Sequence, residues 1–176
     1  GIWHGLVEAF VVIPRSVVME CVENEFVFLK NYQKRITVVD VAGESEDSDE
    51  TVIYDLTNEK IDSDTMEIYH HRSLMDTVGR AQFHAKQNKS NLICIDKVGE
   101  GAGVWSRLGE LYNDDPDMTI YGFDGRLSAP EGIEHETYGN YKTYAWFKAS
   151  KKFRDHQASI PKDPILIGQL SGVKFE

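Results

Sequence analysis

The run LICID, residues 92–96, ends in a carboxylate, Asp96, and three glycines follow at alternate positions, Gly99, Gly101 and Gly103. A carboxylate that closes an apolar strand beside a backbone nearly free of side chains suits a metal ion or a phosphate. The plainer alternative is a strand that ends and a glycine turn that starts a helix. A second acid, Asp40, lies near the end of another β-branched run, RITVVDVA, 56 residues before Asp96.

Each acid needs an element to hold it. RITVVDVA is too rich in valine and isoleucine for an exposed edge and predicts a central strand. GESEDSDE separates it from TVIYDL with loop chemistry, and TMEIYHHR follows the turn-like NEKIDSD, so three strands on short links predict an antiparallel meander. SLMDTVGRAQFHAKQNK switches to a helical period, with Leu74, Val78, Ala81 and Ala85 recurring and Ser73 as its cap. LICID, apolar throughout, predicts a strand covered on both faces that returns parallel through that helix. VWSRLGELY predicts a shorter helix with Val104, Leu108 and Leu111 on one side, and MTIYGF a further strand. TYGNYKTYAWFKASKKF contains a third helix, and Pro164 suits the first turn of a fourth, PILIGQLS, before VKFE begins a final strand. Residues 1–34, with Ser16 capping a short helix, read as a leading segment.

The order βββ-α-β-α-β-α-α-β is that of the ribonuclease H-like fold: an α/β architecture whose mixed sheet, a three-stranded antiparallel meander plus parallel strands, is flanked by helices. In that order the first and fourth strands are neighbours, so Asp40 and Asp96 are expected side by side at one edge of the sheet. Two like charges so close repel in a partly desolvated site unless a cation sits between them. Hard oxygen donors select Mg²⁺ or Mn²⁺ over zinc, and no Cys/His spacing typical of a zinc site occurs. With two ions, one would activate water and the other would stabilise the leaving oxygen of an in-line attack on phosphorus. Taken singly, each aspartate reads as readily as a turn residue that bonds nearby backbone N–H groups.

Composition bounds these readings. The 176 residues, 20.0 kDa in all, suffice for one domain with a core. A formal charge of −10 excludes a general polycation that holds nucleic acid by counterion release. Any nucleic acid must be met locally, where bound cations reverse the sign of an acidic site. Lys97, Arg107, Arg126 and Lys142 are the basic residues expected around such a cleft, each also an ordinary surface residue. KASKKFR, residues 148–154, reads as a solvated helix face. His70 and His71 are adjacent on a strand, point to opposite faces and cannot chelate as a unit. Two cysteines, Cys21 and Cys94, fit a reducing intracellular setting. No apolar run reaches the roughly 20 residues of a membrane span, and the first residues lack signal-peptide character.

Several motifs carry a resemblance. VVDVAGESEDSDETVI resembles the opening motif of the nuclease domain of large terminase subunits, the DNA-packaging motors of tailed bacteriophages, with its Asp-x-Ala strand and Asp-x-Thr-Val-Ile continuation. IDKVGEGAGVWSRL is similar to that family's second motif, an acid followed by Gly-x-Gly-x-Gly and a helix. YGFDGR, NYKTYAWF and IPKDPILIGQLSGVKFE continue the likeness, which runs from about Arg35 to the last residue.

The resemblance implies a metal-dependent DNA endonuclease that cuts concatemeric viral DNA in the cytoplasm of the infected host. Asp40 and Asp96 would be catalytic and carry Mg²⁺ or Mn²⁺, and Asp49 is a weaker metal candidate. Gly99, Gly101 and Gly103 would let the backbone approach a DNA phosphate, with Lys97, Arg107, Arg126 and Lys142 nearby. Implied partners are double-stranded DNA, an ATPase domain of the same polypeptide, the portal and the small terminase subunit, with no membrane. The family's third metal-binding acid lies beyond the Gln-Leu-Ser segment, where no matching motif occurs in this sequence. Asp163 is too early to match it, and Asp124 fits a turn. No Gly-x-x-x-x-Gly-Lys-Ser/Thr loop occurs, so residues 1–34 are expected to lead out of an ATPase domain and 35–176 to form the nuclease domain, shortened at its C-terminus. The alternatives are a non-cutting DNA- or portal-docking module, and another ribonuclease H-like nuclease such as a resolvase or transposase.

Overall fold

A computed structural model describes residues 11–25, 34–45, 49–70, 72–130 and 138–174. His71, the first ten residues and the final Phe175 and Glu176 lie outside them. The chain divides into two compact units, Lys30–Gly125 and Gly1–Leu29 with Arg126–Glu176.

The first unit is built on a sheet. β1 (Arg35–Asp40) pairs antiparallel with β2 (Thr51–Thr57), which also holds two short strands, β3 (Lys60–Ile61) and β4 (Glu67–Tyr69). β5 (Leu92–Asp96) pairs parallel with β1 on one side and with β6 (Thr119–Phe123) on the other. The strand order is β3-β2-β1-β5-β6, with β4 beside β2. β1 is thus central, as its β-branched composition requires, and the meander followed by a parallel return is realised. The turn-like NEKIDSD differs from expectation. Lys60 and Ile61 fold back on Thr57 and Leu56 as β3, and Ser63–Thr65 form a 3-10 turn before β4. The reversal rests on Asn58, whose φ of 58° lies in the left-handed region that asparagine tolerates.

α2 (Leu74–Asn88) makes the crossover from β4 to β5, and the short helix α1 (Arg15–Glu20) belongs to the other unit. Ser73 caps α2 by accepting the Asp76 N–H, and Lys89 ends it in the left-handed conformation. α3 (Gly101–Leu111) follows β5. Val78, Ala81 and Ala85 of α2 and Val104 and Leu108 of α3 bury against Val39, Ile53, Ile93 and Ile95 of the sheet. Leu111 is 43% exposed and stands apart from the Val104–Leu108 stripe. Val39, Ile53, Ile93 and Ile95 share one face of the sheet because alternate residues of a strand point the same way. Asp40 and Asp96 therefore point to the opposite face.

In the other unit, α4 (Tyr141–Arg154) is capped by Asn140, which accepts the Thr143 N–H, and α5 (Pro164–Gly172) by Asp163, which accepts from Ile165 and Leu166. Asp163 is thus a helix cap, and its carboxylate is committed to backbone donors. α1 begins at Arg15 behind Pro14 and has no side-chain cap bond, so Ser16 lies inside the helix instead of capping it. The expected strand VKFE is reduced, among the described residues, to a single bridge between Lys174 and Val11.

Candidate functional site

The site is set by strand register. Along the parallel pair, Ile36 faces Leu92 and Val39 faces Ile95, a constant offset of 56 residues. Asp40 and Asp96 are the next residues on both strands, so they stand level at the carboxyl ends of β1 and β5. That is the end of a parallel sheet where ligands characteristically bind. On its other side Asp40 faces Val52 of β2, and Asp96 faces Phe123 of β6.

Three influences raise the Asp40 carboxyl above its usual range: burial first, then the negative charge of Asp96, then that of Asp49. All push the same way. Asp40 is exposed as a residue and only its carboxyl is partly shielded by its neighbours, so water screens these effects and the two like charges matter mainly as evidence of proximity. Asp49, two residues before β2, is thereby near enough to act on Asp40. Below the acids on the same face lie Tyr54 and Cys94, which flank Val38 in the register. Burial first, then Cys94 and Asp40, push the Tyr54 phenol up to about 12. Burial and then Asp96 push the Cys94 thiol up to about 11. Both groups stay neutral at physiological pH, so neither phenolate nor thiolate competes with the carboxylates for a cation.

Asp96 also performs the plain turn role, since its Oδ1 accepts the Val98 N–H at 3.0 Å. A carboxylate has about four acceptor sites and keeps capacity for a further partner. The donor set fits Mg²⁺ or Mn²⁺, which are commonly held by one or two carboxylates with waters and phosphate completing the shell. Among the described residues, no group of three or more His, Cys, Asp or Glu side chains is placed to hold a metal ion.

The three glycines differ in role from one another. Gly99 takes the turn after β5 with φ +64°, a conformation that favours glycine. Gly101 and Gly103 lie inside the first turn of α3, because that helix begins at Gly101 and not at Val104. They therefore sit at the amino end of a helix and not in an open loop. Gly101 is required by contact: a Cβ there would collide with the carbonyl oxygen of Asp96. The start of α3 thus packs directly on the residue that carries the acid.

The basic residues divide. Lys97 lies with its ammonium 4.9 Å from the centre of the Trp105 ring. It passes over Gly122, where an added Cβ would come within 2.7 Å of the Lys97 Cδ and 2.9 Å of the Trp105 Nε1. Arg107 is exposed on α3 and pairs with Glu110 at 2.8 Å. Arg126 and Lys142 are exposed and belong to the other unit. His70 pairs with Glu50 at 3.1 Å. Asp124, the turn candidate that follows β6, is 7% exposed.

Sequence reasoning passed over a buried polar network. Asp55, 1% exposed, accepts a 2.6 Å bond from the Thr37 hydroxyl and lies 3.2 Å from Nδ1 of His84. The His84 Nε2 lies 3.2 Å from Glu67, which also pairs with Arg80. The signal was present in TVIYDL: Asp55 shares the parity of Thr51 and Ile53, the inward positions of β2.

Fold and geometry together define a ribonuclease H-like domain with paired carboxylates at the ends of its central parallel strands. Its fold is that of the nuclease domains of large terminase subunits. The nuclease domain of the large terminase subunit gp2 of bacterial virus Sf6 matches with a TM-score of 0.61 at 13% identity, over 92% of this chain and 79% of that one. A variant of that domain with manganese gives 0.64 at 12%, over 92% and 79%. The large terminase nuclease of thermophilic phage G20c with bound magnesium gives 0.58 at 12%, over 95% and 82%. No protein-family model and no curated protein matches the sequence.

Proposed function

We propose that the chain is the nuclease domain of a phage large terminase, a divalent-metal-dependent endonuclease that cuts concatemeric viral DNA during packaging. The level placement of Asp40 and Asp96 carries this reading, because two like charges at one sheet edge call for a divalent cation between them, and such a cation can meet a phosphodiester. In support, the nuclease domains that share the fold include forms with manganese and with magnesium. Asp40 and Asp96 would hold Mg²⁺ or Mn²⁺, with Asp49 as an outer contributor. Such ions supply Lewis acidity and charge to offset a phosphate. Gly101 fixes α3 against Asp96 and so holds that carboxylate in place, while Tyr54 and Cys94 keep the floor neutral. Lys97, Arg107, Arg126 and Lys142 are proposed DNA contacts.

In this reading the working partners are double-stranded DNA, an ATPase domain of the same polypeptide, the portal and the small terminase subunit, in the host cytoplasm. Among the described residues no helix is long and apolar enough to cross a membrane. The test is nicking of supercoiled plasmid in Mn²⁺. Activity that a chelator stops and that Asp40→Asn and Asp96→Asn each remove supports the proposal. Metal-independent nicking refutes it, and a chain that binds plasmid without nicking it points to a docking module.

A further inference from the structure

Tyr54 carries a hydroxyl that the surrounding side chains leave without an acceptor. The residue is half-buried on the sheet face that bears Asp40 and Asp96, and its hydroxyl makes no hydrogen bond among the described residues. A tyrosine that buries its ring ordinarily finds a partner for its O–H, because an unmade hydrogen bond away from water costs free energy. Packing accounts for an aromatic ring at this position. It does not account for the oxygen, since phenylalanine would fill the same space.

Register sets this residue against the acids. Asp40 faces Val52 across the antiparallel pair of β1 and β2, and Tyr54 lies two residues further along β2. Positions so related share a face and stand about 7–8 Å apart, a diagonal that an aromatic side chain can span. Asp40 is among the charges that act on the phenol, so the hydroxyl stands within the field of that carboxylate. No hydrogen bond joins the two directly. An oxygen in the hydration shell of a bound ion would serve both, accepting from the phenol while the carboxylate holds the ion.

A neutral O–H is also the donor that suits this place. An ammonium or guanidinium would compete with the cation for the carboxylates, and another acid would add to their repulsion. A phenol that keeps its proton at neutral pH donates without doing either.

From the shared face, the diagonal to Asp40 and the unanswered hydroxyl, we infer that Tyr54 is a positioning residue for the divalent ion, donating its O–H to a water of the ion's shell and orienting that shell against Asp40. The inference rests on the proposed metal site at Asp40 and Asp96. Outer partners of this kind typically change metal affinity about 10–100-fold.

The test is calorimetric titration of the 176-residue chain with Mn²⁺, alongside thermal melts in chelator. Tyr54→Phe keeps the ring and removes only the oxygen. It is expected to weaken Mn²⁺ binding about tenfold or more and to melt, without metal, no lower than the parent. Undiminished Mn²⁺ affinity in Tyr54→Phe overturns the inference and leaves the metal site standing. Weaker affinity together with a lower metal-free melting temperature also overturns it, by assigning the hydroxyl to the packing of the fold. A parent chain that takes up no Mn²⁺ overturns the metal site itself, and the role of Tyr54 with it.

Discussion

Asp40 and Asp96 follow, each on its own strand, the paired residues Val39 and Ile95, and so stand level across the parallel junction of β1 and β5. If both carboxylates hold a divalent ion, removing either charge removes a direct ligand. Loss of outer partners of metal ligands typically costs about 10–100-fold, so Asp40→Asn or Asp96→Asn is expected to lower Mn²⁺-dependent nicking by about 100-fold or more. The same variants should abolish the rise in melting temperature that Mn²⁺ gives the parent chain, an effect of ligand binding to the folded state alone. A full Mn²⁺ shift in either variant would remove that residue from the metal site.

The electrostatics of Asp40 give a pH signature. Its carboxyl is raised above 3.8 by burial first, then by Asp96 and Asp49. A raised acid holds its proton more tightly folded than unfolded, so its stabilising contribution is complete below 3.8 and is lost as pH rises through the higher folded value. Without metal, Asp40→Asn should therefore gain stability relative to the parent as pH climbs toward neutrality, and melt slightly above it at pH 7. Solvent exposure keeps the gain small. Thermal melts in chelator across that range check the sign, and a variant that melts lower at neutral pH contradicts it.

Two helical glycines should respond in opposite directions to the same substitution. At Gly101 a Cβ meets the Asp96 carbonyl, which is backbone and cannot turn aside. Gly101→Ala is expected to cost about 1–3 kcal/mol, the usual cost of overpacking, and to impair the metal response by displacing β5 from α3. At Gly79 the space is open, and Gly79→Ala should stabilise by about 0.4–1 kcal/mol. Denaturant unfolding of both variants measures the pair.

Lys97 and Trp105 are held together by the space above Gly122. Gly122→Ala would bring a methyl within 2.9 Å of the indole nitrogen, and the ring, rigid and seated on α3, must move. The expected result is a shift in tryptophan fluorescence and loss of a cation–π contact worth about 0.5–1 kcal/mol. Lys97→Met should lose that contact without the spectral shift of a displaced indole. Comparison of the two variants separates the ring's position from the lysine's charge.

Asp55 is a structural carboxylate. Asp55→Ala leaves the His84 Nδ1 facing a cavity and the Thr37 hydroxyl with Ser90 alone, and a buried polar group that loses its partner costs about 1–3 kcal/mol. The variant should unfold at clearly lower denaturant while any surviving fold keeps its Mn²⁺ response, since Asp55 faces away from Asp40.

Much of this molecule was legible before any coordinates. Valine and isoleucine runs announced β1 and β5, the change of period after Ser73 announced α2, and a helix between meander and strand required a parallel return. Those signals are local, written in side-chain type and spacing. That Asp40 meets Asp96, and not a neighbour one step away, was decided by register, which the burial of Val39, Ile53, Ile93 and Ile95 on one face fixes across elements distant in sequence. The same holds for the glycines. Three of them in alternation read as one loop, but only the packing of α3 on the Asp96 carbonyl separates the turn at Gly99 from the contact at Gly101. Asp55, Glu67, His84 and Arg80 could not be joined from sequence, because a hydrogen bond needs an approach of about 3 Å that spacing along the chain does not determine. The sequence by itself determined which segments are strands and helices and the order that makes β1 and β5 neighbours; tertiary packing decided the register, and with it which acids share an edge.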